Sequence, residues 1–237
     1  MSQPASPLLP RVFVAVDRMR TDDAAGDLAR LGTDGFALKL GLEFFVANGP
    51  EGVRKVAGTR PLFLDLKLHD IPNTVAGGVK AAALCRPRLL TVHASGGRAM
   101  LVAARDAAAQ TGPERPLLLA ITVLTSLDDA DLDAVGQRGP SGEQALRLAM
   151  LAREAGIDGV VCSAHEISRL RKEVGPGFKL VVPGIRPEWA AAGDQKRVMT
   201  PSEAVGLGAD HLVIGRPITQ AADPKAALSR ILAEIAT

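Results

Sequence analysis

Leu62-Phe63-Leu64-Asp65-Leu66-Lys67-Leu68-His69-Asp70 is the stretch on which the reading of the fold turns. Side chains of a β-strand point alternately to its two faces, so Asp65 and Lys67, at i and i+2, share one face and Leu64 and Leu66 share the other. With the leucines packed outward against helices, the two charges point inward. That is the arrangement of a parallel barrel, whose polar residues at the carboxyl ends of the strands face the active site.

Seven further runs of β-branched residues or leucine flank this one: Val12–Val16, Phe36–Leu40, Leu89–His93, Leu117–Val123, Gly159–Cys162, Lys179–Val182 and His211–Ile214. Most are nearly continuous in apolar character, as strands covered on both faces are. Ala-rich segments with helical spacing separate them, which is the pattern of βα units. Eight such units in 237 residues match a single (β/α)8 TIM barrel of the α/β class. An open doubly wound sheet would more often carry a glycine-rich turn after its first strand, and here that turn reads Asp17-Arg18-Met19-Arg20. Residues 1–10 are expected to form a flexible Pro-rich tail and residues 11–237 one barrel domain. Ser141 with Gln144, Ser163 with Glu166, and Thr200 with Glu203 have capping-box spacing, and Pro201 and Pro224 suit first helical turns.

Composition narrows the function. Aromatic residues make up 3% of the chain, with one Trp and no Tyr, so stacking platforms for nucleic-acid bases are scarce. The net charge of +2 comes from 28 basic and 26 acidic residues without a basic block, which argues against nucleic acid or an anionic membrane surface as partner. An anionic partner is expected to be small and held in a pocket. Cys85 and Cys162 stand alone, without metal-ligand spacing or a disulfide framework, and suit a reducing cytoplasm. The first ten residues lack the pattern of a signal peptide, and no apolar run is long enough to span a membrane.

The charged strand ends carry the chemistry. Asp17 closes the first run, Lys39 lies near the end of the second, and Asp65, Lys67 and Asp70 end the third. An isolated Asp65–Lys67 pair reads equally well as an ordinary ion pair at a barrel rim. Lys39, Asp65, Lys67 and Asp70 together, in otherwise apolar strand ends, imply mutual pairing or function, because desolvating four charges is costly. Near the ends of the last two strands, Pro183-Gly184-Ile185-Arg186-Pro187 and Gly215-Arg216-Pro217 combine glycines, which let backbone N–H groups approach an anion, with guanidinium groups. Loops after strands seven and eight of a barrel are a frequent phosphate site. The segment from Pro187 to Thr200, with Gly193, is long enough to fold over a bound phosphate. His93 is expected to be hydrogen-bonded within the barrel rather than to bind metal, and Trp189 is left either packed or exposed.

The stretch from Asp65 to Thr74, DLKLHDIPNT, resembles the signature of the orotidine 5'-phosphate decarboxylase family. Similar segments follow in family order: VAVD around Asp17, LKLG around Lys39, TVHASGG around His93, TVLTS around Thr125, VVPGIRP around Arg186, GDQKR around Gln195 and VIGRPI around Arg216. The resemblance implies conversion of orotidine 5'-phosphate to UMP and CO2 in pyrimidine biosynthesis, with no cofactor and no metal. It makes Lys67 the proton donor to C6, with Lys39, Asp65 and Asp70 completing a catalytic charged network and Asp17 on the ribose. It also places Ile71, Pro72, Asn73, Thr74, Thr125, Arg186, Gln195, Gly215 and Arg216 among the substrate contacts, Thr125 on the base. The implied assembly is a homodimer in which Asp70 and Thr74 reach the partner's site.

Arg86-Pro87-Arg88, before the fourth strand, departs from the Gly-and-acid turn expected of relatives, at the barrel end opposite the chemistry. The rival readings are a metal-dependent aldolase resembling hexulose-phosphate synthase, and a barrel that binds a phosphorylated ligand without catalysis. His69 to Thr74 and Gln195 favour the decarboxylase over the first. The four charges argue against the second.

Overall fold

The computed structural model describes residues 9–190 and 199–236. Eight strands, β1 (Val12–Ala15), β2 (Ala37–Gly41), β3 (Leu62–Leu68), β4 (Leu89–His93), β5 (Leu117–Ile121), β6 (Gly159–Val161), β7 (Lys179–Pro183) and β8 (His211–Ile214), form a closed barrel in chain order. Every pairing is parallel, and β1 closes on β8 with Phe13 opposite Val213. The (β/α)8 barrel expected from the apolar runs is the fold observed, with strand ends displaced by no more than two residues.

Ten α-helices are found among the described residues: α1 (Thr21–Leu31), α2 (Leu42–Ala57), α3 (Pro72–Ala83), α4 (Gly97–Ala109), α5 (Asp129–Ala134), α6 (Ser141–Glu154), α7 (Ile167–Val174), α8 (Pro201–Gly206), α9 (Arg216–Thr219) and α10 (Pro224–Glu234). The short α5 and α9 are additions to the simple alternation. Pro201 and Pro224 open α8 and α10, where a missing N–H costs nothing. Thr200 and Glu203 form the expected reciprocal cap, and the Ser163 N–H donates to Glu166 at 2.9 Å. The cap expected at Ser141 does not form. Pro140 takes the extended N-cap conformation, so Ser141 already lies inside α6 and its N–H donates to Asp129 Oδ1 at 2.7 Å.

Two packing zones follow from strand alternation. Val12, Val14, Leu38, Leu40, Leu62, Leu64 and Leu66 point outward into the large cluster shared with the helices. Phe13, Ala15, Ala37, Phe63, Leu89, Leu119, Val181 and Val213 fill the barrel interior. Phe13 and Phe63 meet edge to face with centroids 5.6 Å apart, a geometry suited to the ring quadrupoles. The barrel is therefore a packed solid up to the level of these rings, and its open space lies above them.

At the opposite end, Leu9 packs against the interior cluster, and the carbonyl of Pro10 lies 2.9 Å from His211 Nδ1. These two residues of the expected tail are thus engaged with the barrel; residues 1–8 lie outside the described residues. Among the described residues, no helix is long and apolar enough to cross a membrane.

Candidate active site

Inward alternation places the charges in a layer directly over the apolar filling. On β1 the inward series is Phe13, Ala15, Asp17; on β2 it is Ala37, Lys39; on β3 it is Phe63, Asp65. Small Ala15 and Ala37 leave room beside the rings, and a cavity of about 320 Å³ opens above them. That volume suits a small ligand.

The charges alternate in sign around the wall. Lys39 Nζ lies 3.0 Å from Asp17 Oδ1 and 4.0 Å from Asp65 Oδ2, and Lys67 Nζ lies 2.7 Å from Asp65 Oδ2. Lys39 is buried, and flanking carboxylates offset the cost of desolvating its ammonium. Gly41 follows on β2 because a Cβ there would stand 3.2 Å from Lys39 Nζ and 3.3 Å from Asp17 Oδ1. The glycine of the LKLG segment leaves space for the ion pair.

Lys67 reaches this layer through an irregular backbone. Leu64 pairs with Leu90 but Leu68 with Val92, so four residues of β3 span what two cover on β4. Within that bulge Lys67 adopts φ 52°, the left-handed region that non-glycine residues rarely occupy. Its N–H leaves the ladder and donates to Thr91 Oγ1 at 2.8 Å, while the Thr91 hydroxyl donates to Asp65 Oδ1 at 2.9 Å. Fully buried Thr91 thereby ties the backbone of one charged residue to the carboxylate of the other. Sequence reading missed it. Its position at i−2 from the inward His93, beside the ends of β3, was the available signal.

The remaining expected site residues divide into three groups. Thr125, Arg186, Gly215 and Arg216 line the cavity with Asp17, Lys39, Asp65 and Lys67. In strand order, β7 stands opposite β3, so Arg186 faces the Lys67 side across the mouth. Arg186 is buried. Gly215 approaches β1 closely: a Cβ there would lie 3.3 Å from that of Ala15. Asp70, Ile71, Pro72, Asn73 and Thr74 instead occupy the β3–α3 connection and the first turn of α3, all exposed and outside the cavity. Asp70 Oδ1 accepts the Ile71 N–H at 2.6 Å and makes no ion pair among the described residues. Within one chain, Asp17 rather than Asp70 completes the four-charge network. Gln195 and Gly193 lie outside the described residues.

His93 differs from expectation. Its Nδ1 is buried without a hydrogen-bond partner among the described residues, and its ring stacks on that of His69 at 5.2 Å. Burial, with the charges of His69 and Lys67, holds its pKa below the ordinary histidine value. Trp189 packs beneath the Arg230 guanidinium, 4.6 Å from ring centroid to Cζ. Burial pushes the Cys162 thiol upward, away from reactivity.

A closed parallel barrel with alternating carboxylates and ammonium groups at its carboxyl end, and guanidinium groups across the mouth, is the architecture of a (β/α)8-barrel enzyme. A model of the orotidine 5'-phosphate decarboxylase / HUMPS family matches residues 10–231, and the chain belongs to this family. It is 55% identical over 230 residues to the orotidine 5'-phosphate decarboxylase of Rhodospirillum rubrum, covering 94% of this chain and 93% of that one. Identity to the Alkalilimnicola ehrlichii protein of the same name is 52% over 228 residues, 95% and 96% of the two chains. The crystal structure of orotidine 5'-phosphate decarboxylase from Lactobacillus acidophilus superposes with a TM-score of 0.86 at 40% identity, covering 97% of this chain and all of that one.

Proposed function

We propose that this chain decarboxylates orotidine 5'-phosphate to UMP in pyrimidine biosynthesis, with Lys67 as proton donor. The observation that carries the reading is the Lys67 ammonium held 2.7 Å from Asp65, in a wall shared with Lys39 and Asp17 and over an apolar floor. Family membership and the names of the relatives at about half identity support it. The aldolase reading is not favoured by those relatives.

The chemistry asks for a positioned cation. Breaking the bond between C6 and the carboxylate releases CO2 and leaves the electron pair on C6, in the plane of the pyrimidine, where ring π delocalisation does not reach it. Lys67 Nζ stabilises that charge as it develops and then transfers a proton to C6, leaving a neutral amine that solvent reprotonates. Asp65 holds the ammonium and lies beside the departing carboxylate, where its charge disfavours the bound ground state. Lys39 extends the charged network beside Asp65, and Asp17 binds the ribose. Thr125 contacts the base.

The phosphate sits at the β7 and β8 ends on Gly215, Arg186 and Arg216, with Gln195 joining it from the following segment. Guanidinium groups suit a phosphate because their N–H groups are fixed in a planar fork. Phosphate binding far from C6 contributes to the chemical step by favouring the competent arrangement. Asp70 and Thr74, exposed beside the mouth, with Ile71, Pro72 and Asn73, serve the site of a second copy in a homodimer. Two buried cysteines fit an enzyme of the reducing cytoplasm.

The test is to mix the purified protein, in excess chelator, with orotidine 5'-phosphate and follow the loss of its ultraviolet absorbance. Turnover that persists in chelator and is lost in a folded Lys67→Ala variant is expected. Chelator-sensitive turnover, or near-normal turnover by Lys67→Ala, would overturn the reading.

A further inference from the structure

A second cavity, of about 800 Å³, opens at the amino-terminal end of the barrel, away from the charged mouth. Its lining includes Arg54 at the end of α2, Arg60 before β3, and Arg86 and Arg88 between α3 and β4, with no Asp or Glu among the described residues. Elsewhere on this end, two carboxylates gather basic groups. Arg115 pairs with Asp158 at 2.7 Å, and Asp210 takes both Arg171 and Lys179. Around the cavity such pairing is sparser. Arg88 has Glu114 at 3.4 Å, but Arg54, Arg60 and Arg86 have no carboxylate within 4.0 Å among the described residues.

Two further observations point to a ligand. Arg60 donates from Nη2 to the Gly32 carbonyl at 3.2 Å, yet its Nε is buried with no partner among the described residues. A buried donor without an acceptor is uncommon enough to need an explanation. Arg86 holds φ 51° in the left-handed region although it is not glycine. Backbone strain of this kind persists where the surroundings impose it, and it clusters at ligand-holding sites. The catalytic reading uses neither residue.

We propose that this cavity is a second binding site, for a polyphosphate either free or carried by a nucleotide. Guanidinium groups without counter-charges repel one another and gain most from a multiply charged anion, which they engage through paired N–H donors. The exposed Leu84 adds an apolar surface on which a nucleoside can rest.

The experiment is calorimetric titration of the full chain with inorganic pyrophosphate and, separately, ATP, each with and without saturating UMP. Binding that persists under UMP, weakens with added salt and falls roughly tenfold or more in Arg54→Gln/Arg86→Gln is the expected result. Arg60→Gln should weaken it as well, and the double variant of exposed arginines guards against misfolding of that single one. Equal binding of the two probes assigns the site to polyphosphate alone; tighter ATP binding brings the nucleoside onto Leu84. Binding of neither probe, or binding unchanged in the arginine variants, would overturn the proposal. The variants locate the site independently of UMP, so the functional reading of the mouth can fail without deciding this test.

Discussion

Thr91 bears no charge, yet it touches both halves of the Lys67–Asp65 pair, accepting from the Lys67 N–H and donating to Asp65. Replacing it with valine keeps the shape and removes the hydroxyl, leaving a buried N–H and a carboxylate oxygen without their partner. Such groups cost about 1–3 kcal/mol each. Thr91→Val is therefore expected to lower kcat by roughly tenfold or more while KM moves little, since the hydroxyl positions the proton donor rather than the substrate. Thr91→Ser should restore most of the rate. Steady-state kinetics on the three proteins checks this. A parallel rise in KM, or no rescue by serine, would make Thr91 merely structural.

At the scale of elements, the ends of β3 and β4 are coupled by the stack of His69 on His93. Burial lowers the His93 pKa from the ordinary 6.5, and burial does the same at His211 on β8. Between the lowered folded value and 6.5, the unfolded chain binds a proton that the folded chain does not. Stability contributed by the neutral ring is thus present above about 6.5, is lost as pH falls below it, and stops changing below the folded value. Denaturation midpoints measured from about pH 7.5 to about pH 5 should fall, and His93→Gln should flatten part of that slope while His211 maintains the rest. An unchanged slope in the variant would show that His93 does not titrate in this window.

For the whole molecule, the loops and helix starts following β1, β2 and β3 present Met19, Leu42, Val46 and Ile71 to solvent beside Asp70 and Thr74. Large apolar side chains exposed on three successive carboxyl-end segments suit burial against a second copy. If Asp70 serves the partner's site while Lys67 serves its own, mixing inactive Lys67→Ala and Asp70→Asn chains creates dimers with one fully restored site. Random pairing makes half the dimers mixed, so roughly a quarter of all sites should regain activity under two-fold symmetry. Verified heterodimers without recovered turnover would refute the shared site.

The eight strands and their two faces, with Asp65 inward and Leu64 and Leu66 outward, were legible in the sequence, because alternation with period two is a local property of the chain. The glycines and arginines at the β7 and β8 ends were legible for the same reason: strand ends in a barrel share one mouth. Three things required the tertiary structure. The bulge at Lys67 arises from pairing with β4, and the role of Thr91 exists only because that pairing brings its hydroxyl to a freed N–H. Asp70, five residues from Asp65 in the chain and indistinguishable from it by type, lies outside the cavity because the strand has ended and alternation no longer governs its side chain. Arg54, Arg60 and Arg86 at the amino-terminal end gather from α2 and the approaches to β3 and β4, and only closure of the barrel places them around one cavity. Local periodicity determined which way each strand residue faces; distances between segments far apart in the chain decided which of those residues meet.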